Sequence, residues 1–315
     1  MTLLPLSDKY RPKSINDLIL DNIIFNKIKD IVNNKNIPNI ILTGKSGIGK
    51  TSTIHCIARS IYPKNFNDAI IELNASDDRG IKSVHDTIIN FCKRKIEFRE
   101  GYAQHKLLIL DEADNITPKA QRLINSIMEK YPNTRFVFTC NNSSDIIESI
   151  QSRCIIIRFN KPPTNIFIEK IKIICQKENI DYDDDALEFI LNICQKDLRK
   201  TLNMIELTHI AKNKLTINNI REISDIPSEN ELEDLLINIK NKNITNISMT
   251  INNFKKQGYY SIDILLHLIQ YIKNYKNIDI DIKINLINIL SNEAYVMSKT
   301  VSNYLQLTGA IFKCV

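Results

Sequence analysis

Hydrophobic and polar positions follow two different patterns along this chain, and the change falls near residue 162. Before that point, short apolar runs alternate with turn residues and amphipathic stretches. The runs typical of buried strands are 40–42, 69–73, 107–110 and 136–138. Strands that alternate with helices predict an α/β domain with a mostly parallel sheet and flanking helices.

One connecting helix of this domain is especially clear. Thr117 suits the N-cap, Pro118 suits the first helical position, and Pro132 stops the pattern. The apolar residues between them recur at helical spacing: Ala120, Leu123, Ile124, Ile127, Met128 and Tyr131. We therefore predict one helix between these two prolines.

No strand pattern follows residue 163. Helical spacing predicts three helices at 164–177, 184–193 and 198–211, the last with Asp197 as its N-cap. More helices are predicted beyond Pro227, at 229–240, 244–256, 261–274, 282–290 and in a final run into Val315. We divide the chain into an α/β domain (1–162), a small helical domain (163–226) and an all-α domain (227–315).

Composition narrows the class of protein. The chain has 315 residues, of which 43% are hydrophobic and 25% charged, as in a folded protein with more than one domain. No apolar stretch has the length of a membrane span and the first residues lack the layout of a signal peptide, so we expect an intracellular protein without a membrane partner. The seven cysteines are scattered without a Cys-x-x-Cys pair, which indicates neither a disulfide framework nor a zinc site.

The net charge of +6 is unevenly distributed. Residues 1–160 carry 23 Lys and Arg against 17 Asp and Glu, whereas residues 161–315 carry 19 of each. The excess indicates a first domain that faces a polyanion. Compositional drift is the alternative explanation, because six charges over this length are a small bias.

A phosphate-binding loop matches G-x-x-x-x-G-K-[ST] in full, between a predicted strand and a predicted helix. Its residues are Gly44, Lys45, Ser46, Gly47, Ile48, Gly49, Lys50 and Thr51. Backbone N–H groups and the helix N-terminus suit phosphates, Lys50 reaches the β and γ phosphates, and the Thr51 hydroxyl can bind Mg²⁺. The loop predicts ATP and Mg²⁺ as cofactors.

Polar side chains follow two other predicted strands. Asp111 and Glu112 directly follow the predicted strand at 107–110. We assign Asp111 to the metal and Glu112 to the attacking water. Asn141 follows the next strand and suits the water or the γ phosphate, although an asparagine there is also a common turn residue. The three motifs together predict ATP hydrolysis.

Four longer segments carry a family resemblance. They are Asp-Lys-Tyr-Arg-Pro-Lys at 8–13, Glu-Leu-Asn-Ala-Ser-Asp-Asp-Arg-Gly-Ile at 72–81, Leu-Asp-Glu-Ala-Asp at 110–114 and Ile-Gln-Ser-Arg-Cys at 150–154. With them the chain resembles an AAA+ ATPase and, within that class, a replication factor C small subunit. The segments at 258–264 and 305–309 resemble the carboxy-terminal collar of that family, so the resemblance covers the whole chain. It implies an AAA+ domain (1–162), a helical lid (163–226) and a collar that mediates oligomerisation (227–315).

The resemblance also implies roles for single residues. Arg153 would act in trans, on ATP held by an adjacent subunit, and Asn141 would be the sensor-one residue. Arg199 would be the sensor-two arginine of the lid. Tyr10 and Arg11 would lie near the adenine.

Contacts with DNA are implied as well. The positions expected to face the phosphate backbone are Arg79, Lys82, His85 and Arg122. Asn125 and Ser126 stand where the family commonly has paired arginines, and His85 stands where arginine is common and is mostly neutral near pH 7. Because phosphate contacts supply most sequence-independent affinity, we expect this subunit to grip DNA weakly.

The leading interpretation is an ATP-hydrolysing subunit of a hetero-oligomeric clamp loader. It would work with other large and small replication factor C subunits to open the sliding clamp PCNA and place it on primer-template DNA, in replication and repair. We expect the nucleus as its location in a eukaryote, and the cytoplasm or a replication factory for a virus.

Two alternatives remain. A mainly structural subunit would bind ATP and donate Arg153 with little turnover of its own, but the intact Lys50, Thr51, Asp111 and Glu112 favour the enzyme. A small-molecule kinase with a phosphate-binding loop would have no use for a trans arginine or a collar.

Overall fold

The computed structural model describes residues 4–62, 66–74, 81–95, 102–224, 226–300 and 302–315, with the backbone alone described at 66–67 and 81–85. The chain forms two compact units, and the division falls between His209 and Ile210. The boundaries near 162 and 226 that the sequence indicates stay a prediction.

A parallel five-stranded sheet forms the centre of the first unit. Its strands are β1 (Ile40–Thr43), β2 (Ile70–Asn74), β3 (Lys106–Asp111), β4 (Thr134–Cys140) and β5 (Ile155–Arg158), in the order β2-β3-β4-β1-β5. The carboxyl ends of β3, β4 and β1 therefore lie side by side. This order brings the three polar motifs to one edge of the sheet.

Helices precede, connect and follow these strands. Their bounds are α1 (Leu6–Lys9), α2 (Asn22–Asn33), α3 (Lys50–Ile61), α4 (Phe66–Ala69), α5 (Ile81–Lys93), α6 (Pro118–Lys130), α7 (Glu148–Gln151), α8 (Thr164–Glu178), α9 (Asp184–Ile193) and α10 (Leu198–Lys212). Short 3-10 turns follow β3 at Ala113–Asn115 and β4 at Ser143–Asp145, and a third covers Ile15–Asp17. A short strand, β6 (Asp181–Tyr182), lies between α8 and α9.

Successive side chains along each strand pack on opposite faces of the sheet. Leu107, Ile109 and Val137 pack in one buried cluster with residues of α2 and α3. Leu108 and Phe136 pack in another, with residues of α5 and α6. Burial on both faces explains why these strands read as continuous apolar runs.

The helix predicted between the two prolines is confirmed as α6. Its N-cap Thr117 accepts a hydrogen bond from the Ala120 backbone N–H at 3.4 Å, and Pro118 is its first residue. Ile127 and Met128 are buried, with 4% and 7% of their surface exposed, so both belong to the core.

The second unit is helical. Its elements are β7 (Lys214–Leu215), α11 (Ile217–Ser224), α12 (Glu229–Lys240), α13 (Ile244–Gln257), α14 (Ser261–Asn274), α15 (Ile280–Lys299) and α16 (Tyr304–Phe312). One apolar core joins α12 to α16, with Leu235, Phe254, Leu268 and Leu290 fully buried. No helix in the described part of the chain has the length and apolar character that crossing a membrane requires.

The expectation of no strand after residue 163 is wrong, because β6 and β7 lie there. Each strand has only two residues, too few for a period of two to stand out from the surrounding helices. The helix predicted at 282–290 is longer in the structure, since α15 continues to Lys299 through Ala294 and Met297 on its buried side.

Candidate functional site: a nucleotide-binding cleft

The phosphate-binding loop joins β1 to α3 and lines a cleft at the carboxyl edge of the sheet. Gly47 and Gly49 have φ angles of 71° and 93°, in the left-handed region that favours glycine. The Gly44 backbone N–H donates to the Cys140 carbonyl at 3.3 Å, and the Thr43 hydroxyl donates to the Asn141 carbonyl at 3.2 Å. These two bonds tie the loop to the end of β4.

Lys50 Nζ lies among oxygen acceptors of the loop and the sheet edge. It donates to the carbonyls of Gly44 at 2.5 Å and Lys45 at 2.9 Å, and to Asn141 Oδ1 at 3.3 Å. Burial lowers the pKa of Lys50, and the nearby charges of Asp114 and Asp111 oppose this shift. The ammonium is thus held within the cleft, partly removed from water.

Asp111, the last residue of β3, joins the loop to β4. The Thr51 hydroxyl donates to Asp111 Oδ1 at 3.0 Å and lies 3.3 Å from Oδ2, and the Thr139 hydroxyl also donates to Oδ1. The two predicted metal ligands, Thr51 and Asp111, are therefore in direct contact.

Glu112 has a left-handed backbone, with φ of 55° and ψ of 43°. Its N–H donates to the Thr139 hydroxyl at 3.2 Å, and Asn115 Nδ2 donates to its Oε2 at 3.4 Å. The side chain is exposed and lines the cleft. An exposed carboxylate beside the predicted metal ligands suits the task of orienting water.

Asn141 directly follows β4 and is held by Asp114. Asp114 Oδ2 accepts from the Asn141 backbone N–H at 3.2 Å and from Asn141 Nδ2 at 3.0 Å. Asn141 therefore contacts Lys50 through its oxygen and Asp114 through its nitrogen.

The start of α10 closes one side of the cleft. Asp197 caps this helix as expected, since its Oδ1 accepts from the Lys200 N–H at 3.1 Å, and the Leu198 N–H donates to the Gly47 carbonyl at 3.3 Å. Arg199, the predicted sensor-two residue, is exposed and lines the cleft.

Tyr10 and Arg11 line the cleft from the amino-terminal segment. The Tyr10 hydroxyl donates to Glu178 Oε1 at the end of α8, and Lys9 Nζ lies 2.7 Å from the same oxygen. Burial and the hydrogen bond to Glu178 raise the pKa of Tyr10 to about 12. The hydrogen bonds from Lys9 and Tyr10 lower the pKa of Glu178.

Arg153 lies outside the described lining of this cleft. Its Nη2 forms an ion pair with Glu129 Oε1 of α6 at 2.5 Å, and 45% of its side chain is exposed. The role of Arg153 toward an adjacent subunit stays a prediction.

The residues predicted to face DNA are only partly described. Arg122 is exposed on α6. Arg79 lies outside the described residues, and Lys82 and His85 lie on α5 where the backbone alone is described.

Sequence reasoning missed two polar residues of the cleft, Asp114 and Thr139, and one partner of the cleft residue Tyr10, Glu178. Asp114 stood within the acidic run at 110–114, and Thr139 is a polar residue in the otherwise apolar end of β4. Glu178 gave no local signal, because its partners Lys9 and Tyr10 are far away in sequence.

The described side chains fit a magnesium nucleotide. Hydroxyl and carboxylate oxygens are ligands that Mg²⁺ prefers, and those of Thr51 and Asp111 lie 3.0 Å apart. A half-buried lysine, glycines with positive φ and a helix N-terminus suit phosphate groups.

A parallel sheet in the order β2-β3-β4-β1-β5, with a phosphate-binding loop after β1 and an acidic pair at the end of β3, is typical of an ATPase of the AAA class. The family model described as "ATPase family associated with various cellular activities (AAA)" matches residues 40–162, and "Replication factor C C-terminal domain" matches residues 227–313.

Full-length relatives identify the family within this class. "Putative replication factor C small subunit R395" of Acanthamoeba polyphaga mimivirus is 34% identical over 313 residues, which cover 99% of this chain and 97% of the relative. "Replication factor C subunit 4" of Saccharomyces cerevisiae is 33% identical over 311 residues, which cover 98% and 95%. The chain belongs to the replication factor C small subunits. It therefore has a role in clamp loading, and its AAA domain makes it a nucleotide-binding ATPase.

Solved structures confirm the fold. The Holliday junction branch migration motor RuvB of Thermotoga maritima aligns with a TM-score of 0.56 at 16% identity, over 82% of this chain and 91% of that chain. At this identity the likeness concerns the fold alone.

Proposed function

We propose that this chain hydrolyses ATP within a hetero-oligomeric clamp loader that opens the sliding clamp PCNA and places it on primer-template DNA. The observation that carries the proposal is a pair of hydrogen-bonded sets at the sheet edge. One joins Lys50 to Asn141, and the other joins Thr51 through Asp111 and Thr139 to the backbone of Glu112. Lys50, Thr51, Asp111, Glu112, Asn141 and Arg199 all line this cleft.

Binding of ATP and Mg²⁺ is assigned to the loop and to Asp111. The loop residues Gly44 to Thr51 hold the phosphates with backbone N–H groups and with Lys50. Thr51 and Asp111 hold the magnesium ion, whose charge stabilises the phosphate oxygens when it is bound. Tyr10 and Arg11 lie at the side of the cleft that is assigned to the adenine.

Hydrolysis is assigned to four side chains. Glu112 orients the attacking water and accepts its proton, and Asn141 and Arg199 position the water and the γ phosphate. Arg153 supplies a positive charge to ATP on an adjacent subunit, which makes turnover at that site depend on assembly.

The contribution of this chain to DNA binding is proposed to be small. Arg79, Lys82, His85 and Arg122 are the candidate contacts. Asn125 and Ser126 instead bond within their own helix, Asn125 Nδ2 to Glu129 Oε1 at 3.4 Å and Ser126 Oγ to the Leu123 carbonyl at 2.7 Å. Neither side chain carries the positive charge on which backbone affinity depends.

The test uses loader complexes in which only this chain is altered. Glu112→Gln removes the proton acceptor while keeping the shape of the side chain, so we expect the ATPase rate at this site and clamp loading to fall. Equilibrium binding of ATP should stay close to that of the unaltered complex, because Glu112 is assigned to water and not to phosphate. Unchanged ATPase and loading would contradict the proposal.

The mainly structural subunit is the other outcome of the same experiment. In that case Glu112→Gln has no effect, whereas Arg153→Ala lowers the ATPase rate of the complex through the adjacent site. Both subunit interpretations predict that the purified chain elutes in a stable complex with other subunits. An enzyme that acts by itself would elute alone.

A further inference from the structure

Asp114 makes two hydrogen bonds to one residue. Its Oδ2 accepts from the backbone N–H of Asn141 at 3.2 Å and from Asn141 Nδ2 at 3.0 Å. Asp114 lies in the 3-10 turn directly after β3, and Asn141 follows β4, the neighbouring strand. The contact thus joins the end of the strand that carries Asp111 to the candidate sensor residue.

These bonds define the orientation of the Asn141 amide. An amide has a donor end and an acceptor end that can exchange by a rotation of the side chain. Here the nitrogen faces a carboxylate, and the oxygen faces Lys50 Nζ at 3.3 Å. The reversed amide would place an oxygen against a carboxylate and N–H groups against an ammonium, and both contacts are unfavourable.

The contact with Asp114 leaves part of the Asn141 amide available. Asn141 Nδ2 has two N–H donors, and the bond to Asp114 uses one of them. The other oxygen of Asp114, Oδ1, is buried without a hydrogen-bond partner among the described residues, so Asp114 contacts Asn141 through Oδ2 alone.

We propose that Asp114 is a positioning residue for ATP hydrolysis, which fixes the Asn141 amide with its nitrogen toward β3 and its second N–H free for the γ phosphate or the attacking water. This inference rests on the proposed function of the cleft. Asp114 acts through Asn141, and neither nucleotide affinity nor assembly depends on it.

The test is Asp114→Asn in a loader complex whose other ATPase sites are inactivated by Glu→Gln changes at their catalytic glutamates. An asparagine replaces the carboxylate by a neutral oxygen, which is a weaker acceptor for the two N–H groups of Asn141, so the Asn141 amide is held less firmly in the observed orientation. We expect kcat at this site to fall about ten- to a hundredfold, as for small misplacements of a catalytic group. The affinity for ATP, measured with a fluorescent analogue, should change less than about twofold.

A double-mutant cycle with Asn141→Ala separates positioning from a general loss of structure. If Asp114 acts through Asn141, adding Asp114→Asn to Asn141→Ala lowers kcat no further. Asp145→Asn is the matched control, because Asp145 occupies the 3-10 turn after β4, is exposed and lies outside the described lining of the cleft.

Each outcome has one meaning. Unchanged kcat in Asp114→Asn, or additive losses in the cycle, would overturn the inference while Glu112→Gln still lowers turnover. If Glu112→Gln and Asn141→Ala also leave turnover unchanged, the proposed hydrolysis by this chain fails instead. A large loss of ATP affinity in Asp114→Asn would assign Asp114 to nucleotide binding and would also overturn the inference.

Discussion

Arg153 pairs with Glu129 of its own chain, and the two side chains meet with Nη2 and Oε1 2.5 Å apart. The exposed fractions of the two side chains are 45% and 49%, so water and salt screen the pair. Exposed ion pairs contribute about 0–1 kcal/mol. Arg153 can therefore leave Glu129 at little cost when an adjacent subunit offers a phosphate.

The first prediction follows from this weak pair. Glu129→Gln removes a competitor for Arg153, so we expect the ATPase rate of the assembled complex to rise, by up to about fivefold if the pair contributes about 1 kcal/mol. The free energy of unfolding should change by less than about 1 kcal/mol. Steady-state ATPase measurements and urea unfolding check both expectations.

Glu148→Gln serves as the control, because Glu148 is an exposed glutamate at the start of α7, the short helix that leads to Arg153. A fall in ATPase rate for Glu129→Gln alone would contradict competition and would show that Glu129 orients Arg153 for its task.

The second prediction concerns Asp111, which accepts hydrogen bonds from both Thr51 and Thr139. Asp111→Asn removes the negative charge that Mg²⁺ requires but keeps the size of the side chain. We expect nucleotide affinity in the presence of Mg²⁺ to fall about ten- to a hundredfold, as for altered metal surroundings in general. In EDTA the variant and the unaltered chain should bind with similar affinity.

Titration with a fluorescent ATP analogue, with Mg²⁺ and with EDTA, measures this difference. Asp145→Asn should behave like the unaltered chain under both conditions. An equal response of Asp111→Asn and the unaltered chain to Mg²⁺ would remove Asp111 from the metal site.

Much of the first unit could be predicted because its signals are local in sequence. The apolar runs that became β1, β3 and β4 are buried on both faces, and the loop at 44–51 needs no distant residue to be recognised. The strand β5 was missed, although Ile155, Ile156 and Ile157 form an apolar run of the same length as that of β1. The position of β5 at the edge of the sheet, where Ile155 is 53% exposed, depends on its pairing with β1 and could not be inferred from this run.

Contacts that join distant segments could not be predicted. Asp114 Oδ2 accepts two hydrogen bonds from Asn141 only because β3 and β4 are neighbours in the sheet. Neither residue by itself indicates this contact in the sequence. The contact between Tyr10 and Glu178 likewise depends on how the amino-terminal segment packs on α8.

The third prediction is a pH dependence at that contact. Hydrogen bonds from Lys9 and Tyr10 lower the pKa of Glu178. A carboxyl group whose pKa is lower in the folded state stabilises that state fully above its unfolded pKa, about 4.3, and loses this effect as the pH falls through the folded value. Glu178→Gln should therefore lower the free energy of unfolding at pH 7, and the difference from the unaltered chain should shrink below about pH 4.

Urea unfolding at pH 7 and near pH 3.5 measures this difference. Glu169→Gln is the control, since Glu169 is an exposed glutamate on the same helix. A difference for Glu178→Gln that is as large in acid as at pH 7 would show that the ionised carboxylate is not the stabilising group.

The fourth prediction compares two glycines of the phosphate-binding loop. Both have positive φ, 71° at Gly47 and 93° at Gly49, so an alanine at either position is strained by about 1–2 kcal/mol. A Cβ at Gly47 would lie 2.0 Å from Asp197 Oδ1, whereas a Cβ at Gly49 would meet nothing within 4 Å. Gly47→Ala should therefore lower the free energy of unfolding by about 1 kcal/mol more than Gly49→Ala, because it displaces the N-cap of α10.

A second substitution tests whether Asp197 causes this difference. Asp197→Gly removes the obstructing carboxylate, and glycine replaces an N-cap aspartate at a cost of only a few tenths of a kcal/mol. In the Asp197→Gly background, Gly47→Ala should then destabilise the chain no more than Gly49→Ala does. Urea unfolding of the unaltered chain, Gly47→Ala, Asp197→Gly and the double variant gives the coupling between positions 47 and 197. If the two alanine substitutions already cost the same in the unaltered background, α10 does not pack on the loop through Asp197. A coupling of about 1 kcal/mol would instead identify this contact as the steric link between the phosphate-binding loop and α10.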